Sequence, residues 1–318
     1  MTPPSVRIFA TGASGYIGST VTRLAISGGY VVHALSRSEA ADAKLLSLGA
    51  VPVRGDLSSL EVLTREAAAA DIVIHLADSL TDDHTADFSI VLKTDAAAVD
   101  AIAKGLEGSK KLFIGTSGSL VTAPDPDGAV TTETSPLQQD PLNGRIESEK
   151  HILSLRDKGI RVCVVRLAPF VYGRGGSGVR LLMNVSLPAG QVMYVDDGCL
   201  HTSTVHVDDA ARLYLLIARS GTADGAYNAT TGHHPTFRQL GEAMAATLGV
   251  PAVGIPFDIA ASGVGTFFAR FLSAENKASS ARAMEELGWL PKEVGILEDI
   301  RGGSYAELAQ KLKAGSAA

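Results

Sequence analysis

Three glycines follow the first run of β-branched residues and precede a helical stretch. In "TGASGYIG" they are Gly12, Gly15 and Gly18. A strand that turns through glycines into a helix brings bare main chain close to a ligand, and the helix N-terminus presents N–H groups to an anion. This context predicts a site for the pyrophosphate of a dinucleotide. The alternative is a tight turn that binds no ligand, but it does not explain why a strand precedes the glycines and a helix follows them.

A second group of polar residues ends the next predicted strand. About twenty residues after such a turn, a site for NAD has an acidic residue that binds the ribose hydroxyls. The segment "ALSRS" has Ser36 there instead, followed by Arg37 and Ser38. A serine does not repel a 2′-phosphate and a guanidinium pairs with one, so we expect NADP(H). The residues expected around the cofactor on these grounds are Gly12, Ser14, Gly15, Tyr16, Ile17, Gly18, Ser36, Arg37 and Ser38.

The elements that must position these groups alternate along the first half of the chain. Apolar runs without polar alternation predict strands buried on both faces, and stretches of helical spacing separate them. This order predicts an α/β fold, a doubly wound parallel Rossmann sheet with right-handed crossovers. The six predicted strands are "VRIFA", "YVVHAL", "AVPVRG", "DIVIHLA", "KLFIGT" and "RVCVVRL".

The second half of the chain lacks the regular alternation of apolar runs and helical stretches. Its pattern predicts a smaller, mostly helical C-terminal substrate lobe. The segment "LLMNVSLPAGQVMYVDDG" has turn signals and no clean period, whereas helical spacing returns after Pro235. We therefore expect an NADP-binding domain from residues 1–168 together with about 200–232. Residues 169–199 and 233–318 form the expected substrate lobe.

Composition excludes several classes of function. The 318 residues carry a net charge of −6, which disfavours a nucleic-acid or anionic-membrane partner, because both require a cationic surface. No apolar run is long enough to span a bilayer, and the opening lacks a secretory apolar segment. Two cysteines are too few for a disulfide framework, and Cys163 is expected in a buried strand. We expect a cytoplasmic protein whose histidines show no metal-ligand spacing.

The glycine spacing, "RGDLSS", "DIVIHLA", "RLAPFVYG" and "VHVDDAARLY" together resemble the short-chain dehydrogenase/reductase superfamily, in its extended epimerase/dehydratase-like branch. The likeness covers nearly the whole chain and implies a homodimer formed by helices around residues 96–103 and 146–155. It also implies further cofactor contacts beside the adenine, in the cleft and around the nicotinamide. These are Asp56, Leu57, His75, Leu76, Ala77, Thr116, Pro169 and Phe170.

The superfamily's proton relay, a Ser or Thr followed by Tyr-x-x-x-Lys, is not matched in "NGRIESEKH". One alignment puts Arg145 at the Tyr position and Glu149 at the Lys position, and an alignment shifted by one puts Ile146 and Lys150 there, so the usual proton donor is absent under either. A guanidinium cannot act as an acid, but it could bind an oxyanion with Glu149 orienting it; an i,i+4 surface pair is the alternative. The remaining candidates are Ser117 and Ser119, on either side of the relay serine position, and Tyr172 at the cleft mouth.

These observations favour an NADP(H)-dependent, ketoreductase-like oxidoreductase that acts on the carbonyl or secondary alcohol of a small metabolite through a non-standard proton relay. One alternative is an epimerase, dehydratase or cyclase that uses bound NADP(H) without net redox change. Another is a non-enzymatic regulator that senses NADP(H). The residues do not decide among the three.

Overall fold

The computed structural model describes residues 6–78 and 88–316. Within them the chain forms eleven strands. In chain order these are β1 (Arg7–Thr11), β2 (Val31–Ser36), β3 (Val51–Arg54), β4 (Ile72–His75), β5 (Leu112–Gly118), β6 (Arg161–Leu167), β7 (Phe170–Tyr172), β8 (Val192–Val195), β9 (Thr204–His206), β10 (Gly225–Ala229) and β11 (Ala252–Ile255).

Thirteen α-helices lie between and after the strands in the same part of the chain. They are α1 (Tyr16–Ser27), α2 (Glu39–Ser47), α3 (Leu60–Ala69), α4 (Phe88–Leu106), α5 (Arg145–Ser154), α6 (Ser177–Ala189), α7 (Val207–Arg219), α8 (Phe237–Leu248), α9 (Phe257–Val264), α10 (Thr266–Phe271), α11 (Ala281–Leu287), α12 (Ile296–Gly302) and α13 (Ser304–Ser316).

Seven strands form one parallel sheet in the order β10-β6-β5-β4-β1-β2-β3. Ile8 of β1 pairs with Val32 of β2 on one side and Ile72 of β4 on the other. The strand order therefore reverses direction between β1 and β4, and a crevice opens there beyond the carboxyl ends of the strands. This is the predicted doubly wound Rossmann sheet, and all six predicted strands are confirmed.

Both faces of the sheet are buried, as the apolar runs predict, except at the edge strand β3, where Val51 is 45% exposed. Alternate residues of β5 and β6 enter two separate hydrophobic clusters: Ile114 and Cys163 lie on the face covered by α1 and α7, and Phe113 and Val164 lie on the other face. The side chain of Cys163 is fully buried, as expected for a strand residue. Burial on both faces fixes the strand ends that carry the candidate site.

The C-terminal lobe has a hydrophobic cluster of its own, built from α6, α8, α12 and α13. The segment "LLMNVSLPAGQVMYVDDG", which has turn signals and no clean period, contains most of α6 and all of β8. Val179 and Met183, one turn apart, are buried in this cluster and hold α6, while Pro188 falls in its last turn. Tertiary packing here outweighs weak local periodicity.

Several residues expected in the substrate lobe lie in the hydrophobic cluster of the sheet domain, among them Ala283 of α11 and Trp289. Trp289, which follows α11, is expected in the substrate lobe, whereas its ring is buried in the cluster against α1 and α7. Its indole N–H donates to the Asp209 carbonyl at 3.0 Å, and this bond ties the segment to the N-terminus of α7. Within residues 6–78 and 88–316, no helix combines the length and the apolar content that a transmembrane segment requires.

Candidate active site

A cleft of about 800 Å³ lies at the carboxyl ends of β1, β4 and β5. The turn after β1 forms part of its wall, and the first turn of α5 and the short helix α10 form others. The wall includes many of the residues expected from the sequence: Gly12, Gly15, Tyr16, Ile17, Gly18, His75, Leu76, Ala77, Thr116, Ser117, Ser119, Arg145 and Pro169. Other expected residues are not part of it: Ser14, Ser36, Arg37, Ser38, Asp56, Leu57, Phe170 and Tyr172.

The glycines of the turn stand where a side chain would collide with main chain. Gly12 has a φ of 68°, and a Cβ there would lie 2.7 Å from the Ala77 nitrogen. A Cβ on Gly18 would overlap the carbonyl of Gly12, and a Cβ on Gly15 would lie 3.1 Å from the same oxygen. The turn is therefore packed against β4 and the start of α1 with no space for larger residues.

The N-terminus of α1 at this turn has no side-chain cap. Gly15 is its N-cap residue, whereas the N-cap of α2 is Ser38, whose hydroxyl accepts a hydrogen bond from the Ala41 N–H at 3.2 Å. The first N–H groups of α1 are thus left for a ligand at the wall of the cleft. The close turn and the uncapped helix both fit the pyrophosphate of a dinucleotide.

The end of β2 lies beside this turn and carries an exposed cation. The hydroxyl of Ser36 is buried and donates to the Ser38 carbonyl at 3.2 Å. The Arg37 guanidinium is exposed and has no ion pair or hydrogen bond with the described residues. Lys44 of α2, which the sequence analysis missed, donates to the Ser14 carbonyl of the glycine turn at 2.7 Å. The two residues are 30 positions apart in the chain, and no local spacing in the sequence signals their contact.

The segment after β3 is organised by Asp56. Its carboxylate accepts hydrogen bonds from the Ser58 hydroxyl at 2.6 Å and the Ser58 N–H at 2.9 Å. The bond from the Ser58 hydroxyl is the main cause that holds the pKa of Asp56 below its usual value. Leu57 is buried in the cluster on the α3 and α4 face. Contact of either residue with an adenine stays a prediction.

The floor of the cleft is a network at the ends of β1, β4 and β5. Thr11 bonds through its hydroxyl to Nδ1 of His75 at 2.8 Å and accepts the Ala77 N–H at 3.2 Å. Burial lowers the pKa of His75 to about 4, so the ring is neutral at physiological pH. The Thr116 hydroxyl donates to the His75 carbonyl at 2.8 Å and bonds to the Tyr214 hydroxyl at 2.7 Å. These bonds fix the strand ends and leave His75 no role as a cation.

The two serines of β5 and the following turn differ in their partners. The Ser119 hydroxyl is buried and donates to Oδ1 of Asn276 at 2.9 Å, and the Asn276 amide returns a bond to the Ser119 carbonyl at 3.2 Å. Ser119 thus joins the turn to the C-terminal segment. The Ser117 hydroxyl, also buried, has no hydrogen-bond partner among the described residues. Of the two, Ser117 is the one whose hydroxyl is left for a ligand.

Arg145 is the first residue of α5, where a positive charge opposes the helix dipole. Its backbone N–H donates to Oδ1 of Asn143 at 3.1 Å, and its guanidinium pairs with Asp78 at 3.3 Å. Both side chains of the pair are more than a third exposed. Surface pairs of this kind contribute about 0–1 kcal/mol, so Arg145 can exchange this partner for a ligand oxygen.

Glu149 does not orient Arg145, and the alternative of a surface i,i+4 pair between the two is also wrong. The Glu149 carboxylate is buried and binds Arg166 of β6, with Nη2–Oε1 and Nε–Oε2 distances of 2.6 and 3.0 Å. Arg166 also donates to the Glu133 carbonyl at 3.0 Å. No local spacing in the sequence signals this pair, because its members lie on a helix and a strand. Glu149 anchors α5 to the sheet.

Tyr172 and Phe170 of β7 lie in the core of the C-terminal lobe. Tyr172 is fully buried, and its hydroxyl donates to the Val294 carbonyl at 2.7 Å. Burial raises the pKa of this phenol well above its usual value. The Phe170 ring packs against Phe271 at 5.7 Å between centroids. These positions do not support Tyr172 as a proton donor, and they direct the Phe170 side chain into the lobe, leaving Pro169 in the cleft wall.

The helices proposed for a dimer contact use their small residues internally. Ala98, Val99, Ile102 and Ala103 of α4 are buried against the sheet and α3. The exposed positions along the same helix include Lys93, Ala97, Asp100 and Lys104. These four apolar residues are therefore covered within one chain, whereas Ile90 of the same helix is 62% exposed, and the dimer stays a prediction. Among the described residues there is no group of three His, Cys, Asp or Glu side chains that could hold a metal ion.

The parallel sheet, the switch point and the glycine turn define a Rossmann-type dinucleotide-binding fold. A profile of the NAD dependent epimerase/dehydratase family matches residues 8–230. The chain belongs to this family. An uncharacterized protein of Saccharomyces cerevisiae is 36% identical over 299 residues, which cover 93% of this chain and 98% of the yeast protein.

A second relative, from Stigmatella aurantiaca, is named 4-hydroxy-2-methyl-3-oxo-4-farnesyl-3,4-dihydroquinoline-1-oxide ketoreductase. It is 28% identical over 302 residues, which cover 92% of this chain and 89% of that protein. Among solved structures, UDP-glucose 4-epimerase of Thermotoga maritima with UDP-glucose has a TM-score of 0.78 at 23% identity, with 96% of this chain and 99% of that chain covered. UDP-glucose 4-epimerase of Thermus thermophilus with NAD has a TM-score of 0.73 at 22% identity, with 95% and 98% covered. These structural likenesses show the fold.

Proposed function

We propose that this chain is an NADP(H)-dependent oxidoreductase that interconverts a carbonyl group and a secondary alcohol on a small metabolite. The observation that carries the proposal is that the glycine turn and Arg145 line one cleft. The turn would hold the dinucleotide, whose nicotinamide supplies or accepts a hydride when bound. Membership of the family and a relative named as a ketoreductase support a redox reaction.

The preference for NADP(H) over NAD(H) rests on the charges at the end of β2. Ser36 adds no negative charge there, and the Arg37 guanidinium is exposed without a partner among the described residues. Lys44 places a second cation at the glycine turn through its bond to the Ser14 carbonyl. A 2′-phosphate between these cations would accept charge-assisted hydrogen bonds from both side chains in place of water. The solved Thermus thermophilus relative contains NAD, so this preference would distinguish the present chain.

In the proposed reaction, Arg145 binds the carbonyl oxygen of the substrate and stabilises the negative charge that grows on it. The guanidinium would give up part of its contact with Asp78 to do so. The Ser117 hydroxyl, which lacks a partner among the described residues, would donate a second hydrogen bond. The α5 helix contains no tyrosine. We therefore propose that the chain works without a Tyr-x-x-x-Lys pair and that water supplies the proton of the alcohol.

Consumption of NADPH with a panel of ketones and aldehydes tests this proposal. The Arg145→Ala variant should lose about 10²–10³-fold in kcat with unchanged affinity for NADPH, because only an oxyanion contact is removed. Arg145→Lys should not restore full turnover, since an ammonium lacks the two-pronged planar donor. Lys150→Ala, an exposed change on the same helix, is the matched control. Near wild-type turnover in Arg145→Ala would contradict the assigned role.

A further inference from the structure

The C-terminal lobe contributes an aromatic surface to the cleft. Phe267, Phe268 and Phe271, all on α10, are part of its wall. The rings of Phe267 and Phe268 lie edge to face with centroids 5.5 Å apart, and Phe267 is 43% exposed. Leu142 and Ile146 line the same cleft. Apolar surface that stays exposed in a concave site is available to be buried by an apolar ligand.

The charges of the cleft do not suit a second anionic ligand beside the dinucleotide. Among the described residues of its wall, Lys93 and Arg145 are the Lys and Arg side chains, and they are outnumbered by the carboxylates of Asp78, Asp95 and Glu147. Arg145 is already paired with Asp78. The pyrophosphate of a nucleotide sugar needs several cations or N–H donors in place of water. The phenylalanines of α10 offer none.

We infer that the substrate of this cleft is an apolar aromatic ketone or aldehyde, rather than a nucleotide sugar. Its ring system would pack on the phenylalanines of α10 while its carbonyl oxygen bonds to Arg145. A flat aromatic ligand makes edge or offset contacts with such rings and needs no counter-charge. The inference rests on the proposed function for the reaction, but the binding preference can be measured without turnover.

Binding of two probes to the protein, measured by calorimetry with and without NADP⁺, tests the inference. 2-Acetylnaphthalene should bind, and UDP-glucose should bind at least tenfold more weakly. Phe267→Ala should weaken binding of 2-acetylnaphthalene about tenfold, the effect of losing one aromatic contact. The exposed position of Phe267 makes this variant compatible with folding. Ile259→Ala, at a 60% exposed residue of α9 outside the cleft wall, should leave binding unchanged.

The outcomes separate this inference from the redox proposal. Binding of 2-acetylnaphthalene that depends on Phe267, without NADPH oxidation by any carbonyl, supports the aromatic site and contradicts the proposed reaction. NADPH oxidation with glyceraldehyde but not with 2-acetylnaphthalene supports the reaction and overturns the aromatic site. Equal or tighter binding of UDP-glucose, or an unchanged affinity for 2-acetylnaphthalene in Phe267→Ala, also overturns it.

Discussion

Removal of the buried Glu149 carboxylate should destabilise the fold far more than a change at an exposed position of α5. Glu149 and Arg166 are each only 5% exposed at the side chain, and three hydrogen bonds join them. Glu149→Ala leaves the Arg166 guanidinium buried without its counter-charge. The expected cost is about 3–5 kcal/mol, the usual range when one partner of a buried pair is removed. For a chain of 318 residues this corresponds to a fall of about 4–8 °C in Tm.

Thermal and urea unfolding of Glu149→Ala and Lys150→Ala measure this cost. Lys150 is exposed on the same helix, and its replacement should change the free energy of unfolding by no more than about 0.5 kcal/mol. Replacing both partners, as Glu149→Leu with Arg166→Met, should recover most of the loss, because no unpaired charge remains. Equal stabilities of the Glu149→Ala and Lys150→Ala variants would refute the assignment of Glu149 as the anchor of α5.

Three further predictions concern the cofactor, acid stability and assembly. NADPH should bind at least tenfold more tightly than NADH. Arg37→Ala should abolish most of this difference by weakening NADPH binding by about 1.5–3 kcal/mol. Equal affinities of the wild type for the two cofactors would contradict the preference for NADP(H). The depressed pKa of His75, about 4 against an ordinary 6.5, means that the unfolded state takes up the proton first. Neutral His75 therefore contributes about 3 kcal/mol to the free energy of unfolding above pH 6.5, and this contribution is lost as the pH falls toward 4. In the His75→Gln variant, the free energy of unfolding measured in urea should change less with pH between 4 and 6.5. Light scattering at micromolar concentration should show a homodimer, and a monomeric mass would count against it.

The parts of the fold that could be predicted are those where burial dictates the residue type. Strands β1, β2, β4, β5 and β6 are mostly apolar because helices cover both faces of the sheet there, and the glycine turn is specified by backbone collisions at Gly12 and Gly18. The short strands β7, β8 and β11 pair only in two-stranded sheets, and β10 carries a glycine and an asparagine. Such segments depend on tertiary neighbours more than on local pattern.

The glycine turn of the candidate site could be predicted from the sequence, whereas the partners of its charged side chains could not. Arg145 could be found because it replaces a tyrosine expected from the superfamily, but its partner Asp78 lies 67 residues away in the chain. Glu149 shows the limit of helical spacing: i,i+4 proximity suggests a pair with Arg145, yet the carboxylate turns inward to the buried Arg166. Burial of a charge decides its partner, and burial is a property of the assembled fold.

Transfer of deuterium from NADPH that carries two deuterium atoms at nicotinamide C4 tests the central claim most directly. With 2-acetylnaphthalene or another accepted ketone, the account predicts one deuterium on the carbinol carbon of the product alcohol and one equivalent of NADP⁺. The Arg145→Ala variant should form the same labelled product at a rate lower by about 10²–10³-fold. Product formed without deuterium and without net oxidation of NADPH would contradict the account and assign the chain to chemistry without net redox change.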